Sequence, residues 1–194
     1  MAHLKGLHSL QELELPSDLE DNDLAGLDGM KSLQTLVLVG RHITDAGIKH
    51  LRGLVNLKKL SLGCEAITAA GLANLSGMKK LEFLDLTVSP VNDEALCHLA
   101  NLKAFKELCL YKTSITDAGL VHLRRLTALE QLDLRETAVT DKGLEHLRGL
   151  TNLHIIPIRG SQITREGLIR LKTSCPKLVI PSKLRPHPSG PGAV

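Results

Sequence analysis

The stretch Leu129–Asn152, LEQLDLRETAVTDKGLEHLRGLTN, decides how this chain folds. Leu132 and Leu134 alternate with Asp133 and Arg135. A period of two makes a short strand with one face buried, so Leu132 and Leu134 are expected inside and Asp133 in solvent. Val139 then turns inward. Thr140 stands where a helix N-cap belongs, and Asp141 follows in the first turn, where a carboxylate favours the helix dipole. Leu144, Leu147 and Leu150 come next at i, i+3 and i+6, a buried helical stripe. The 24 residues therefore encode strand, turn, short helix and return loop.

The same phrase opens at Leu33, Leu57, Leu81, Phe105, Leu129 and Leu153, each 24 residues after the last. A copy one residue shorter opens at Leu10, and the copy from Leu153 is one residue longer. The cap signal recurs as Thr44-Asp45, Asn92-Asp93 and Thr116-Asp117. One unit cannot bury its strand face and its helix face alone, whereas a stack of units buries both. The strands then form a parallel sheet on one side, with the helices on the other. Helix axes pack ~8–10 Å apart and strands ~4.8 Å apart, so the stack curves with its sheet on the concave side. The fold expected is an α/β repeat solenoid, a single domain over residues 1–180 followed by a flexible Pro/Gly-rich tail over 181–194. Gly47, Gly71, Gly119, Gly143 and Gly167, each one residue before the first apolar helical residue, are read as close-packing positions between units. Leu4 and Leu7 match the last helix positions of a preceding unit, which leaves an apolar layer in need of cover.

The phrase L-x-x-L-x-L-x-x-T-x-[IV]-T-D-x-G-L-x-x-L-x-x-L resembles the leucine-rich repeat. It is most similar to the 24-residue bacterial type, which is itself similar to the cysteine-containing repeats of F-box substrate receptors. The resemblance implies a curved leucine-rich repeat with a concave parallel sheet, acting as a non-catalytic protein-binding scaffold. The alternative it implies is the substrate-recognition arm of a ubiquitin-ligase-like complex. The ninth position of that family is usually Asn. Here it holds Arg41, Glu65, Ser89, Thr113, Thr137 and Ser161. The hydroxyls are expected to serve loop amides, and Arg41 and Glu65 to leave looser turns.

Composition narrows the function classes. Aromatic residues are 2% of the chain, which suits thin aliphatic layers better than a compact globule. No apolar run approaches the ~20 residues of a membrane span. The net charge of +3 is too mild to indicate nucleic acid, and the basic C-terminal end lacks stacking aromatics. No phosphate-cradling glycine loop and no converging nucleophile–base pair is present, so neither a cofactor nor catalysis is expected. Cys64, Cys97, Cys109 and Cys175 fall at four different repeat positions, which points to reduced thiols in the cytoplasm rather than a disulfide framework.

The outward strand positions are free of core duty, and there the partner is expected, a protein or peptide. The candidate binding residues are Phe83, Asp85, Glu107, Tyr111, Asp133, Arg135 and Arg159. Tyr and Arg are the residue types that most often dominate interfaces, and Tyr111 and Arg135 are expected to flank one bound group. Asp85, Cys109 and Asp133 share one position on successive strands, but the two carboxylates lie ~9–10 Å apart and thiol is a poor partner for a hard cation, so no metal is expected. His50, His98, His122 and His146 recur on the convex face, too widely spaced to share one ion. The ends are oppositely charged. Residues 1–30 hold seven carboxylates and one lysine, whereas residues 159–185 hold seven cations and one glutamate. Head-to-tail self-association is the expectation this charge pattern allows.

Overall fold

A computed structural model describes residues 9–181. Leu4, Leu7 and the tail beyond Pro181 lie outside the described residues. The strands are β1 (Glu12–Leu15), β2 (Thr35–Thr44), β3 (Lys59–Ala66), β4 (Phe83–Asp85), β5 (Glu107–Cys109) and β6 (Gln131–Asp133). They lie side by side in chain order, all parallel. The register is that of the repeat: Thr35, Lys59, Phe83, Glu107 and Gln131 form one row, and Val37, Ser61, Asp85, Cys109 and Asp133 the next. The helices are α1 (Asp45–Ile48), α2 (Ala69–Leu72), α3 (Asp93–Cys97), α4 (Asp117–Leu120), α5 (Asp141–Leu144) and α6 (Arg165–Lys172). A tighter 3₁₀ segment, Asp21–Leu27, takes the helix place in the first unit. The result is the curved α/β solenoid expected from the repeat, with the sheet on one side and short helices on the other.

Between these layers runs one aliphatic core. Leu84, Leu108, Leu132, Leu86, Leu110 and Leu134 are fully buried from the sheet side, and Leu96, Leu120, Leu123 and Leu147 from the helix side. Phe105, in a slot that other units fill with Leu, is also fully buried.

Two features of the sheet differ from the repeat pattern. The seventh strand shrinks to a single bridge, Gln131 to Ile155, because Pro157 has no N–H to donate to the sixth strand. Its carbonyl still accepts from Leu134 N. At the other end, β2 and β3 run on for 10 and 8 residues instead of turning after three. In units four to six the chain turns sharply, with Val88, Lys112 and Glu136 at positive φ. Ser89, Thr113, Thr137 and Ser161 were expected to serve amides there. Each hydroxyl is buried and donates to a backbone carbonyl at 2.7–2.8 Å, and among the described residues only that of Ser161 also serves an amide, accepting from Ile163 N at 3.3 Å. Arg41 and Glu65 have no such hydroxyl, and their segments stay extended as strand rather than forming a looser turn.

The helix starts carry an inter-unit ladder. The carboxylate of Asp117 accepts from the Thr140 N–H and from the Thr140 hydroxyl of the next unit, both at 2.7 Å. The Thr140 oxygen in turn accepts from Lys142 N and caps α5. Asp21 with Thr44, Asp45 with Thr68, Asp93 with Thr116 and Asp141 with Thr164 repeat the arrangement. This explains the glycines: a Cβ on Gly143 would lie 2.5 Å from Asp117 Oδ1. The same collision meets Gly47, Gly71, Gly119 and Gly167. Among the described residues, one link is missing. Ala69 takes the aspartate place in unit three, and in unit four Ala95 takes the glycine place and Asn92 the threonine place. Without a carboxylate to accommodate, the glycine is no longer needed.

Candidate functional site

Because strand side chains alternate, the rows through Phe83 and Asp85 face away from the core on the inner surface of the curve. Phe83 is half-buried in a depression of about 360 Å³ lined by Thr35, Val37, Lys59, Ser61 and Glu107. Lys106 and Glu82 close one rim of it with an ion pair of 2.7 Å. The Lys106 ammonium holds the Glu82 carboxyl below its ordinary range. The depression thus pairs an apolar floor with charged walls of both signs.

Two strands further on, Tyr111, Asp133 and Arg135 form one cluster. The Arg135 guanidinium lies 5.0 Å over the Tyr111 ring, a cation–π contact. The same group grips Asp133 through Nε at 2.9 Å and Nη2 at 2.6 Å. Asp133 also accepts from Arg135 N at 3.0 Å. Two expectations change here. Asp133 lies in the outward row but is not in solvent: its residue is only 3% exposed, because Arg135 folds back to cover it. Tyr111 and Arg135 do not flank a gap, because they stack on each other. What remains open is the outer face of a fixed guanidinium and the rest of the phenol ring.

Asp85 is half-exposed and accepts from Thr87 N at 2.9 Å, the same local turn that Asp133 makes. Glu107 and Arg159 are exposed, with Arg159 beyond β6 at the basic end. Phe83, Asp85 and Glu107 therefore sit together on β4 and β5, the Tyr111–Asp133–Arg135 cluster adjoins them, and Arg159 stands apart. Between Asp85 and Asp133, burial pushes the Cys109 thiol up to about 12, with the two carboxylates adding to the effect. It is protonated at neutral pH and is a poor nucleophile in this setting. On the convex side, His50 Nδ1 lies 3.2 Å from Asp28, while His98 and His122 are half-buried and His146 exposed. The free thiols of Cys64 and Cys175 are buried, each with its sulfur 3.5 Å from a backbone carbonyl oxygen. Among the described residues, no helix is long and apolar enough to cross a membrane.

The sequence reading passed over the lateral rim where β1 to β3 begin. There Lys31, Lys58 and Lys80 converge on a second depression. They come from three return loops and share no single repeat position, so periodicity alone did not group them. The available signal was that Ser32, Asn56 and Lys80 stand 24 residues apart.

The comparisons agree with this architecture. The leucine rich repeat family model matches residues 31–91, which span the second and third units and the opening of the fourth. Among solved structures, the chain is similar to an internalin C2 from Listeria monocytogenes str. 4b F2365. The TM-score is 0.65 at 20% identity, covering 91% of this chain and 80% of that one. It is also similar to an internalin F of the same strain, with TM-score 0.51 and 19% identity. That match covers 94% of this chain but spans 64% of the internalin's length. At these identities the likeness is one of fold. No significant match is found among curated proteins.

Proposed function

We propose that this protein is a non-catalytic scaffold that holds a protein or peptide on its concave sheet, around Phe83, Asp85, Glu107, Tyr111, Asp133, Arg135 and Arg159. The observation that carries this reading is the Tyr111–Arg135–Asp133 cluster next to the Phe83 depression. The Arg135 guanidinium is held before any partner arrives, by Asp133 and by the Tyr111 ring. A guanidinium clamped in this way loses little side-chain entropy on binding, which favours affinity. The charged walls around Phe83 suit an apolar side chain with polar neighbours on the partner. The cytoplasm is the compartment in keeping with four unpaired thiols. A substrate-recognition arm of a ubiquitin-ligase-like complex would use this same face, and differs only in what else the protein binds.

Capture of a partner from lysate, followed by calorimetry on variants, tests the face. Phe83→Ala and Tyr111→Ala should each weaken binding by on the order of 2 kcal/mol. His98→Ala and His122→Ala on the convex side should change little. Arg135→Ala is a poorer probe, because it also strips the buried Asp133 carboxylate of its counter-ion and destabilises the fold. Binding that survives both aromatic truncations and is lost with the histidines would place the partner on the opposite face.

The charge asymmetry adds self-association to this proposal. The acidic first unit of one copy can meet the basic seventh unit of another, where Arg165 and Arg170 stand beside the exposed Ile169 and Val179 is also exposed. Sedimentation in low salt should show concentration-dependent growth that ~1 M salt reverses, since the screening length then falls to about 3 Å. A monomer at all concentrations in low salt would remove this part of the reading.

A further inference from the structure

The lateral rim depression measures about 380 Å³ and is lined by Lys31, Lys58 and Lys80 together with the carboxamides of Gln11, Gln34 and Asn56 and one serine hydroxyl. No carboxylate lines it. Among the described residues none of the three lysines forms an ion pair. The acid that feels Lys58 and Lys59 is Glu82, and its carboxylate is already bonded to Lys106. This lack of acid is notable at this end of the solenoid. The first unit carries seven carboxylates between Glu12 and Asp28, and none of them turns into the depression. Three ammonium groups thus line one hollow with no acid among them, which leaves their charge available to a bound anion.

Part of the site is already held in place. Asn56 donates from Nδ2 to the Lys31 carbonyl at 2.8 Å and accepts from Lys80 Nζ at 2.7 Å. Asn56 therefore joins the two loops and fixes the Lys80 ammonium with its other N–H groups open. Lys58 and Lys31 are exposed at the mouth. A single carboxylate would balance only one of three charges. A phosphate group brings close to two charges and several acceptor oxygens, and lysine serves such groups as a point charge.

We propose that this rim depression binds a phosphate group, either free as a small di- or polyphosphate or attached to a serine of a peptide. The site is separate from the concave face and does not depend on it.

The test uses the full chain at ~50 mM salt, where surface charge is less screened. Amide spectra are recorded during titration with sodium pyrophosphate. A second arm uses a short phosphoserine peptide and its unphosphorylated twin. Saturable shifts confined to the loops around Lys31, Lys58 and Lys80 are expected, with none from the unphosphorylated twin. Lys58→Gln with Lys80→Gln, both at exposed positions, should weaken binding at least about tenfold, the loss of one charge-assisted contact. Lys142→Gln on the convex face should leave it unchanged. Binding of pyrophosphate alone assigns a free phosphate ligand, and binding of the phosphopeptide assigns a phosphorylated partner. No saturable binding in either arm, binding unaffected by the double change, or an equal loss with Lys142→Gln would overturn the proposal.

Discussion

Gly143→Ala should lower stability by about 2 kcal/mol or more in urea unfolding, although alanine is the better helix former by ~1 kcal/mol. The reason is the ladder. The new methyl would stand 2.5 Å from Asp117 Oδ1, so the carboxylate must leave the Thr140 N–H and hydroxyl. Two charge-assisted bonds across a unit boundary are then lost, each contributing roughly 1.5–3 kcal/mol. The effect should shrink in a double-mutant cycle. With Asp117→Ala already in place, Gly143→Ala should cost much less, since only the contacts with the backbone Cα of residue 117 and with Val139 Cγ1, each at 3.1 Å, remain. The chain contains the precedent, since Ala69 and Ala95 occupy the same two places two boundaries earlier and Ala95 is fully buried. An equal loss in both backgrounds would mean that the glycine answers to backbone conformation and not to the carboxylate.

Leu134→Ala should cost about 2–5 kcal/mol, the range for emptying a buried leucine site. Leu134 is fully buried, between Leu110 of the unit before and Ile158 of the unit after. Each unit in a solenoid is stable only against its neighbours, so the loss should spread. Hydrogen exchange should quicken at Leu110 N, which donates to Asp133 O, and at Leu132 N, which donates to Ile155 O. A change below ~1 kcal/mol, or one confined to residue 134, would contradict the shared core.

The two substitutions separate what holds units together. Leu134 contributes through burial, which any aliphatic side chain of similar size could supply. The ladder contributes through three residues in two units that fit only as a set. That is why the missing link at Ala69 changed three positions and not one.

Much of this was legible in the residues. The 24-residue spacing determined the parallel sheet, its register and the inward leucines, because period two and period 3.6 leave one arrangement that buries both faces. The Thr-Asp cap was visible and was read as local, and the glycine was visible and was read as a close-packing position between units. Their partnership was not, because Asp117 and Thr140 are 23 residues apart and meet only once the units stack. The candidate face was legible as a row of outward positions. Its detail was not: alternation placed Asp133 outward but could not show that the side chain of Arg135 would fold back over it. The three lysines of the lateral rim were not grouped, because they come from different repeat positions and meet only once the units stack. Sequence by itself determined the repeat, the strand register and which side of each strand is buried, since these follow from local periodicity and hydrophobic burial. The tertiary structure alone decided the carboxylate ladder, the guanidinium stacked on Tyr111 and the basic hollow, since each depends on the distance between side chains from different units.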